Sequence, residues 1–249
     1  MTIPIALQLY AVREECAKDF PGTLSAVAEM GYAGVELAGA YGNTAAQLRA
    51  LTDARGLKFA GTHTQLTALL GDEFARTVDF NLALGNQNVV IPSLPAERRA
   101  TREAWLDSAK LFDELAAKLE PHGLRLGYHN HRVEFQALDG DMPWHLIFDH
   151  VRPSVITQLD VGHALEAGAD PVAELRRYAG RATTVHMAEW SATEPLALLG
   201  EGDVPWQAVI DATQSLGGTE WYIVEQETYR YPQLECARRC LESLKNFTQ

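Results

Sequence analysis

The chain has 249 residues, of which 47% are hydrophobic and 22% are charged, so it can bury a large core and lacks the composition of a disordered protein. Its formal net charge of -12 disfavours nucleic acid as a partner, because proteins bind phosphate backbones with clustered Lys and Arg. The sequence shows neither the segments of a signal peptide nor an apolar run long enough to span a bilayer. We therefore expect a cytoplasmic protein that does not act at membranes.

The three cysteines are too few, and odd in number, to form a disulfide framework. Cys236 and Cys240 would share one face of the last predicted helix and could form half of a metal site, but no second pair completes it. We expect these two residues and Cys16 to be buried or half-buried free thiols.

Short β-rich apolar segments alternate with longer segments of helical periodicity from one end of the chain to the other. Each strand segment is apolar on both faces, as in parallel strands covered by helices on one side and by a barrel core on the other. Eight such units in even succession predict a single-domain α/β fold over residues 1–249, a (β/α)₈ TIM barrel. The predicted strands are Ile3–Leu9, Gly34–Leu37, Leu57–His63, Asn88–Ile91, Leu124–His129, Val155–Leu159, Thr183–Met187 and Trp221–Glu225.

The segments between these strands are amphipathic and carry helix boundary signals. Asp170 before Pro171 is typical of an N-cap followed by proline at the first helical position, and Asp203 before Val204-Pro205 is a similar start. The predicted helices are Thr23–Met30, Thr44–Arg55, Glu73–Leu84, Arg102–His122, Pro143–His150, Pro171–Tyr178, Pro205–Leu216 and Leu234–Phe247.

Polar residues stand where the predicted strands lead into the following helices, which is the active face of a parallel barrel. They are Glu36 after the second strand, His63 after the third, His129-Asn130-His131 after the fifth, Asp160 after the sixth, His186 after the seventh and Glu225 after the eighth. Acidic and imidazole groups that converge in one cavity need a cation or a hydrogen-bond network to stabilise them. The set predicts a functional cavity with a divalent metal, although any single member could instead hydrogen-bond within its loop.

The sixth strand is followed by a pattern of its own. Asp160-Val161-Gly162-His163 places a carboxylate at the strand end and an imidazole three residues later, where a loop can turn it back toward the same centre. His186 and Glu225 end the next two strands and add nitrogen and oxygen ligands without a thiolate. These strand ends together indicate a metal site.

Further segments agree with a known family over nearly the whole chain. They are Leu7–Tyr10, Glu29–Tyr32, Gly34–Leu37, Tyr128–His131 with Glu134-Phe135, Gln158–Gly162, His186, Gly200–Gly202 with Trp206, and Trp221–Gln226. With these segments the chain resembles the sugar phosphate isomerase and epimerase group of the xylose-isomerase-like TIM barrel superfamily, which also includes inosose dehydratases and ketose 3-epimerases. The combination is specific for the family and not for the substrate.

The resemblance implies a metal held by a glutamate after strand five, an aspartate on strand six, a histidine on strand seven and a glutamate on strand eight. In this sequence the matching residues are Glu134, Asp160, His186 and Glu225. Glu134 lies past its strand, where a helix-facing salt bridge is the alternative. His163 matches a histidine that contacts the substrate or supports the ligands.

One departure from the family follows the strand-seven histidine, after which a lysine and an aspartate are usual. Met187-Ala188-Glu189-Trp190 occupies that stretch, and the missing lysine disfavours phosphorylated or strongly anionic substrates. Trp190 could stack on the apolar face of a neutral sugar ring, or simply pack at the rim. Gly200-Glu201-Gly202 lacks the spacing of a nucleotide-binding loop and is interpreted as a close-approach turn beside the pocket.

The resemblance implies an enzyme in which a divalent metal chelates a carbonyl and an adjacent hydroxyl group of a small sugar or polyol and stabilises an enediolate. Glu134 and Glu225 would remove and return the proton, which gives isomerisation or epimerisation. Candidates for binding hydroxyl groups or shuttling protons are His63, His129 and His131, with Glu36 orienting one of them.

Other functions stay open at this point. Loss of a neighbouring hydroxyl group would make the protein a lyase that acts on an inosose or a keto-glycoside, and a sugar-binding barrel without catalysis is a third hypothesis. Apurinic endonucleases of this fold need more metal-binding histidines and a basic groove, which the acidic balance disfavours. The donor set accepts manganese, magnesium, cobalt, zinc or iron, and relatives of this fold often form homodimers.

Overall fold

A computed structural model describes residues 2–248 of the chain. Its eight strands are β1 (Ile5–Gln8), β2 (Gly34–Leu37), β3 (Lys58–His63), β4 (Asn88–Ile91), β5 (Arg125–His129), β6 (Ile156–Asp160), β7 (Thr184–Met187) and β8 (Trp221–Val224). Each strand pairs in parallel with the next, and β1 pairs with β8 to close the barrel. The predicted (β/α)₈ TIM barrel is therefore confirmed.

One or two helices follow each strand and cover the outside of the barrel. Those within residues 2–248 are α1 (Arg13–Lys18), α2 (Phe20–Met30), α3 (Ala45–Asp53), α4 (Glu73–Leu84), α5 (Arg102–Leu119), α6 (Pro143–Phe148), α7 (Val161–Glu166), α8 (Pro171–Arg177), α9 (Trp206–Leu216) and α10 (Gln233–Phe247). In this part of the chain, no helix combines the length and the apolar character that a membrane crossing requires.

The predicted strands and helices are all present, and α1 and α7 are additional. Each of these two helices has six residues, which is too short for a clear periodic pattern. α7 corrects one expectation, because a helical turn and not a loop follows β6. The Asp160 carboxylate caps this helix by accepting a hydrogen bond from the backbone N–H of His163 at 2.7 Å.

The two predicted aspartate caps have different outcomes. Asp170 caps α8 as predicted, since its carboxylate accepts hydrogen bonds from backbone N–H groups in the first helical turn. The start predicted at Asp203 is wrong. α9 begins after Pro205, which makes no side-chain cap, and the Asp203 carboxylate instead accepts a hydrogen bond from the Ala192 N–H at 2.7 Å. Asp203 therefore orders the loop after β7 and does not start a helix.

The main hydrophobic core lies between the sheet and the surrounding helices. A smaller cluster of Ala6, Ala60 and Ile223, with Trp221 packed against it, fills the inside of the barrel. All three cysteines belong to the main core and are free, which confirms the prediction of buried thiols. Apolar packing thus supports the barrel from both sides and leaves its carboxyl-terminal end for polar side chains.

Glu36 lies at the point where the barrel interior becomes polar. The pairing of β2 with β3 shifts register between Val35 and Glu36, and Glu36 then faces Gly61 on β3. A Cβ atom on Gly61 would lie 2.6 Å from the Glu36 Oε1 atom. The glycine therefore leaves the space that the buried carboxylate occupies.

Candidate active site

Four strand-end residues converge at the carboxyl-terminal end of the barrel. His129, Asp160, His186 and Glu225 are buried, and each offers one nitrogen or oxygen atom within 4.8 Å of the others. We call these residues the central cluster. Parallel pairing positions its members, since Asp160 and His186 are register partners on β6 and β7. Three of the four ligands implied by the family resemblance thus lie together, and His129 is the fourth member.

Two atoms of the central cluster have no hydrogen-bond partner among the described residues, namely His129 Nδ1 and Asp160 Oδ2. Leaving a buried polar atom unpaired costs about 1–3 kcal/mol, so such atoms mark places where a ligand supplies the missing interaction. Two imidazoles and two carboxylates are also a donor set suited to divalent transition metals. The residues present therefore fit a divalent ion.

Beneath the central cluster, Glu36 joins three buried side chains. Its carboxylate accepts hydrogen bonds from Gln8 Nε2 at 2.7 Å, from Gln158 Nε2 at 2.8 Å and from His186 Nε2 at 2.7 Å. The other ring nitrogen of His186 donates to the Glu225 carboxylate at 2.7 Å. Glu36 therefore fixes the orientation of the His186 ring and leaves its Nδ1 atom directed at Glu225.

The charges of this network depend on one another. Burial lowers the pKa of His186, but the carboxylates of Glu36 and Glu225 outweigh burial and raise the pKa to about 10. Burial raises the pKa of Glu36, but His63 and His186 outweigh it and lower the pKa to about 2. The two carboxylates that flank His186 thus favour the imidazolium form of its ring.

His129 has the opposite environment. Burial, together with the neighbouring His186 and His63 rings, lowers the pKa of His129 well below its ordinary value. Its ring is therefore neutral at physiological pH, and the neutral form is the one that binds metals. Burial raises the pKa of Asp160, and His163 and His186 act against that effect.

All five histidines that the sequence places at strand ends or just after them meet in a continuous row of rings. The ring centroids are 5.3 Å apart for His63 and His186, 4.5 Å for His186 and His129, 5.0 Å for His129 and His131, and 5.2 Å for His131 and His163. His63 Nε2 also lies 2.8 Å from Gln158 Oε1, so it joins the network around Glu36. The row connects the central cluster to the surrounding cleft.

That cleft consists of three adjoining cavities of about 290, 440 and 290 Å³. The first is lined by Asp160, Glu225 and Trp190, among others, the second by His131 and Glu134, and the third by His63 and His129. His163 lines the first and the second, and Glu225 lines the first and the third. A small molecule in this cleft would contact most of the residues that the sequence indicates.

Glu134 lies outside the central cluster. It belongs to a 3₁₀ turn after β5, where Tyr128 donates its hydroxyl to one carboxylate oxygen at 2.6 Å and the His131 backbone N–H donates to the other at 2.8 Å. The helix-facing salt bridge considered as its alternative is absent from the described residues, and Glu134 is buried. Its role as a metal ligand stays a prediction.

Glu189 organises the loop that replaces the usual lysine segment after β7. Its carboxylate accepts hydrogen bonds from the backbone N–H groups of Trp190, Gly200 and Val204 and from Trp206 Nε1, at 2.8–3.3 Å. A Cβ atom on Gly202 would lie 2.4 Å from the Trp190 carbonyl oxygen, so the close-approach turn predicted there is present. The loop holds the half-buried Trp190 side chain against the first cavity.

Sequence reasoning missed three functional candidates. Gln8 and Gln158 bind Glu36, and Glu227 lines the first and third cavities. A signal was available for Gln158, which precedes Asp160 by two residues on β6, because side chains two apart on a strand face the same side. Gln8 and Glu227 had no such signal, since Gln8 lies far from Glu36 in the sequence and Glu227 lies beyond the end of β8.

Comparison with known proteins agrees with this architecture. The family model for the xylose isomerase-like TIM barrel matches residues 24–247. The chain belongs to this family. It is also similar to the rhizopine catabolism protein MocC of Rhizobium meliloti, with 24% identity over 240 aligned positions that cover 82% of this chain and 73% of that protein.

Solved structures of the same fold cover nearly the whole chain. A sugar phosphate isomerase/epimerase from Parabacteroides distasonis superimposes with a TM-score of 0.87 and 20% identity over 100% of this chain and 98% of that one. An L-ribulose 3-epimerase superimposes with a TM-score of 0.71 and 16% identity over 98% of this chain and 95% of that one. The probable 3-DHS dehydratase AsbF from Bacillus anthracis superimposes with a TM-score of 0.70 and 14% identity over 98% of this chain and 99% of that one. At these identities the similarity shows the fold and not the reaction.

Proposed function

We propose that this protein is a divalent-metal-dependent isomerase or epimerase of a small sugar or polyol. The observation that carries the proposal is the central cluster, whose four buried ligand atoms lie within 4.8 Å of one another. Two atoms of the cluster have no partner among the described residues, as expected of a site built for an ion. Proteins named for isomerisation and epimerisation share the fold.

His129, Asp160, His186 and Glu225 would hold the ion. When bound, a divalent ion would polarise a carbonyl and an adjacent hydroxyl group and stabilise the negative charge that develops as a proton leaves the carbon between them. The two imidazoles favour iron, cobalt or zinc over magnesium, and the two carboxylates also suit manganese. His186 must release a proton from the nitrogen that binds the ion, so the metal affinity rises with pH.

Proton transfer requires two positioned carboxylates, and we assign it to Glu134 and to Glu225, which would also hold the ion. Glu225 lies in the central cluster, and Glu134 lines the adjoining second cavity. Tyr128 and the His131 backbone fix the Glu134 carboxylate in one orientation. One carboxylate would remove a proton from the substrate, and the other, starting in its protonated form, would donate its own proton to the opposite face of the same carbon or to the neighbouring carbon, which gives the epimer or the isomer.

The remaining residues of the cleft would bind the substrate. His63, His131 and His163 can donate hydrogen bonds to hydroxyl groups or accept them, and each lines at least one of the three cavities. Trp190 lines the first cavity and offers an aromatic wall for the apolar face of a sugar ring.

A dehydratase is the second candidate, because a structure named as a probable 3-DHS dehydratase shares the fold over nearly the whole chain. The same residues would then remove a proton next to a carbonyl group, and a neighbouring hydroxyl group would leave as water. Product analysis separates the two reactions. An isomerase keeps the mass of its substrate, whereas a dehydratase product is lighter by one water and absorbs in the ultraviolet as a conjugated ketone.

Metal analysis tests the proposed function. We expect about one equivalent of a divalent metal in the purified protein, and loss of that metal in Asp160→Ala and His186→Ala. Asp107→Ala and His122→Ala are matched controls, because both residues are exposed and lie outside the central cluster. Glu134→Gln should keep the metal and lose turnover of ketoses or inososes. Metal loss in this variant would make Glu134 a ligand instead.

The wild-type protein itself can contradict the proposal. If it contains no metal, and if added manganese or zinc leaves its melting temperature unchanged, the metal-dependent reaction is ruled out. A sugar-binding barrel without catalysis would then be the remaining interpretation of the cleft.

A further inference from the structure

The first cavity of the cleft is strongly acidic. It has a volume of about 290 Å³, and its lining contains six carboxylates but neither Lys nor Arg within the described part of the chain. We call it the acidic cavity. Its carboxylates belong to Asp160, Glu166, Glu189, Glu194, Glu225 and Glu227.

Three of these carboxylates are neutralised or hydrogen-bonded by neighbouring protein groups. Glu166 pairs with Arg132 at 3.3 Å, and Glu194 pairs with Arg230 at 3.2 Å. Glu189 accepts its hydrogen bonds from the loop after β7. None of the three requires a ligand.

The inner end of the acidic cavity is the central cluster. Asp160 is fully buried, lines the cavity, and has an Oδ2 atom without a partner among residues 2–248. This atom marks the inner end of the acidic cavity as a binding site, which the ion of the proposed function would occupy. A divalent ion in the cluster, as in the proposed function, would offset the charges of Asp160 and Glu225.

Glu227 is the carboxylate that remains. Its side chain is 40% exposed, and its nearest potential cation is His163 Nε2 at 3.8 Å, beyond hydrogen-bond distance. Arg13 lies near it at the rim but donates to the Tyr229 hydroxyl at 2.6 Å and to the Tyr10 carbonyl at 3.0 Å. Glu227 thus faces the cavity with both oxygen atoms free of hydrogen bonds from the described residues.

A carboxylate beside an aromatic wall is the arrangement that binds an ammonium group, through a charge-assisted hydrogen bond and a cation–π contact. Glu227 and Trp190 line the same cavity. We propose that Glu227 binds an ammonium group of the substrate, so that the substrate class is an amino-substituted sugar or polyol. This inference rests on the proposed function and narrows its substrate.

The same charges act against anionic substrates. A phosphate or carboxylate group in the acidic cavity would meet Glu227 without a Lys or Arg in the lining to neutralise it. Arginines line the second cavity instead, where Arg132 already pairs with Glu166. The cleft therefore selects by charge on the side that Glu227 faces.

Calorimetric titration of the metal-loaded protein with matched sugars tests the inference. The probes are glucosamine, galactosamine and mannosamine, each compared with its neutral parent hexose and with the corresponding uronic acid. We expect at least one amino sugar to bind about tenfold more tightly than its parent at low salt, and the uronic acids to bind more weakly than the parents. Glu227→Gln should reduce the amino-sugar preference to less than about twofold.

Glu114→Gln is the matched control, because it removes the same charge from an exposed position on α5 outside the cleft. Amino sugars that bind no more tightly than their parents, or a preference that survives in Glu227→Gln, would overturn the inference. If the metal binds and neutral sugars are turned over without any preference for amines, the inference alone fails. If amino sugars bind preferentially without any metal or turnover, the proposed function alone fails.

Discussion

Glu36 is the residue on which the geometry of the central cluster depends. A carboxylate that accepts the second N–H of a metal-binding histidine fixes the tautomer and the ring orientation, and it makes the first nitrogen a better ligand. Glu36 does this for His186, and Gln8 and Gln158 hold the Glu36 carboxylate in place. The central cluster should therefore bind a divalent metal more weakly when Glu36 is substituted, although Glu36 itself does not belong to the cluster.

We predict that Glu36→Gln weakens metal binding about 10–100-fold, because the amide cannot serve as a charged acceptor for His186. Isothermal titration with manganese or zinc measures the change. Glu174→Gln is the matched control, since Glu174 also accepts from a histidine, His145 Nε2, at 3.0–3.1 Å, on the outer helices. Equal affinities in the two variants would show that Glu36 does not orient the ligand.

Among the secondary-structure elements, most of the strands could be predicted from the sequence because their apolar runs stop at turn residues. Gly34–Leu37 and Asn88–Ile91 match the structure residue for residue. β1 is shorter than predicted, because Leu9 begins a 3₁₀ turn that keeps the apolar character of the strand. Periodicity thus locates elements well and fixes their ends less well.

The candidate site could be predicted as far as strand ends define it. Asp160, His186 and Glu225 lie together because parallel strands bring their carboxyl ends to one face. Glu134 lies in a turn, and periodicity does not indicate where a turn directs its side chains. The partners of Glu36 come from strands far apart in the sequence, so only the closed barrel brings Gln8 and Gln158 to the same carboxylate.

A contact between elements also has a measurable contribution to stability. Asp113 on α5 accepts hydrogen bonds from the Arg152 guanidinium at 3.0 Å and from the Arg152 backbone N–H at 2.8 Å. The hydrogen bonds from the Arg152 side chain have the largest effect on the pKa of Asp113, and together with the backbone bond they lower it below its ordinary value. They fasten α5 to the segment that leads into β6.

We predict that Asp113→Asn lowers the melting temperature by about 2–4 °C at neutral pH, because a partly exposed pair of this geometry stabilises by about 1 kcal/mol. Because the pKa of Asp113 is lower in the folded state, the pair with Arg152 stabilises the fold above about pH 4. This stabilisation is lost as the pH falls through the folded-state pKa. The two proteins should therefore converge in acid, which scanning calorimetry can measure. Asp107→Asn, an exposed change on the same helix, should have little effect at either pH.

At the scale of the whole molecule, closure of the barrel brings the two ends of the chain together. β1 pairs with β8 where the barrel closes, and α10 packs against α1 and α2 on the outside of this pair. We call these two strands and three helices the seam. The cysteines lie in the same region, with Cys16 on α1 and Cys236 and Cys240 on α10. Their accessibility therefore reports whether the seam is closed.

We predict that a thiol reagent such as Ellman's reagent labels the native protein only through global unfolding. Burial raises the pKa of Cys16 and of Cys240 to about 12, so few thiolates form in mildly alkaline solution, and the surrounding core excludes the reagent. In a denaturant titration, labelling of all three cysteines should follow the loss of circular dichroism.

Leu82→Cys places a thiol at a 48% exposed position on α4 and serves as the positive control for rapid labelling. Rapid labelling of Cys16 alone in the native protein would mean that α1 opens independently, and the seam would then not be a single cooperative unit with the rest of the barrel.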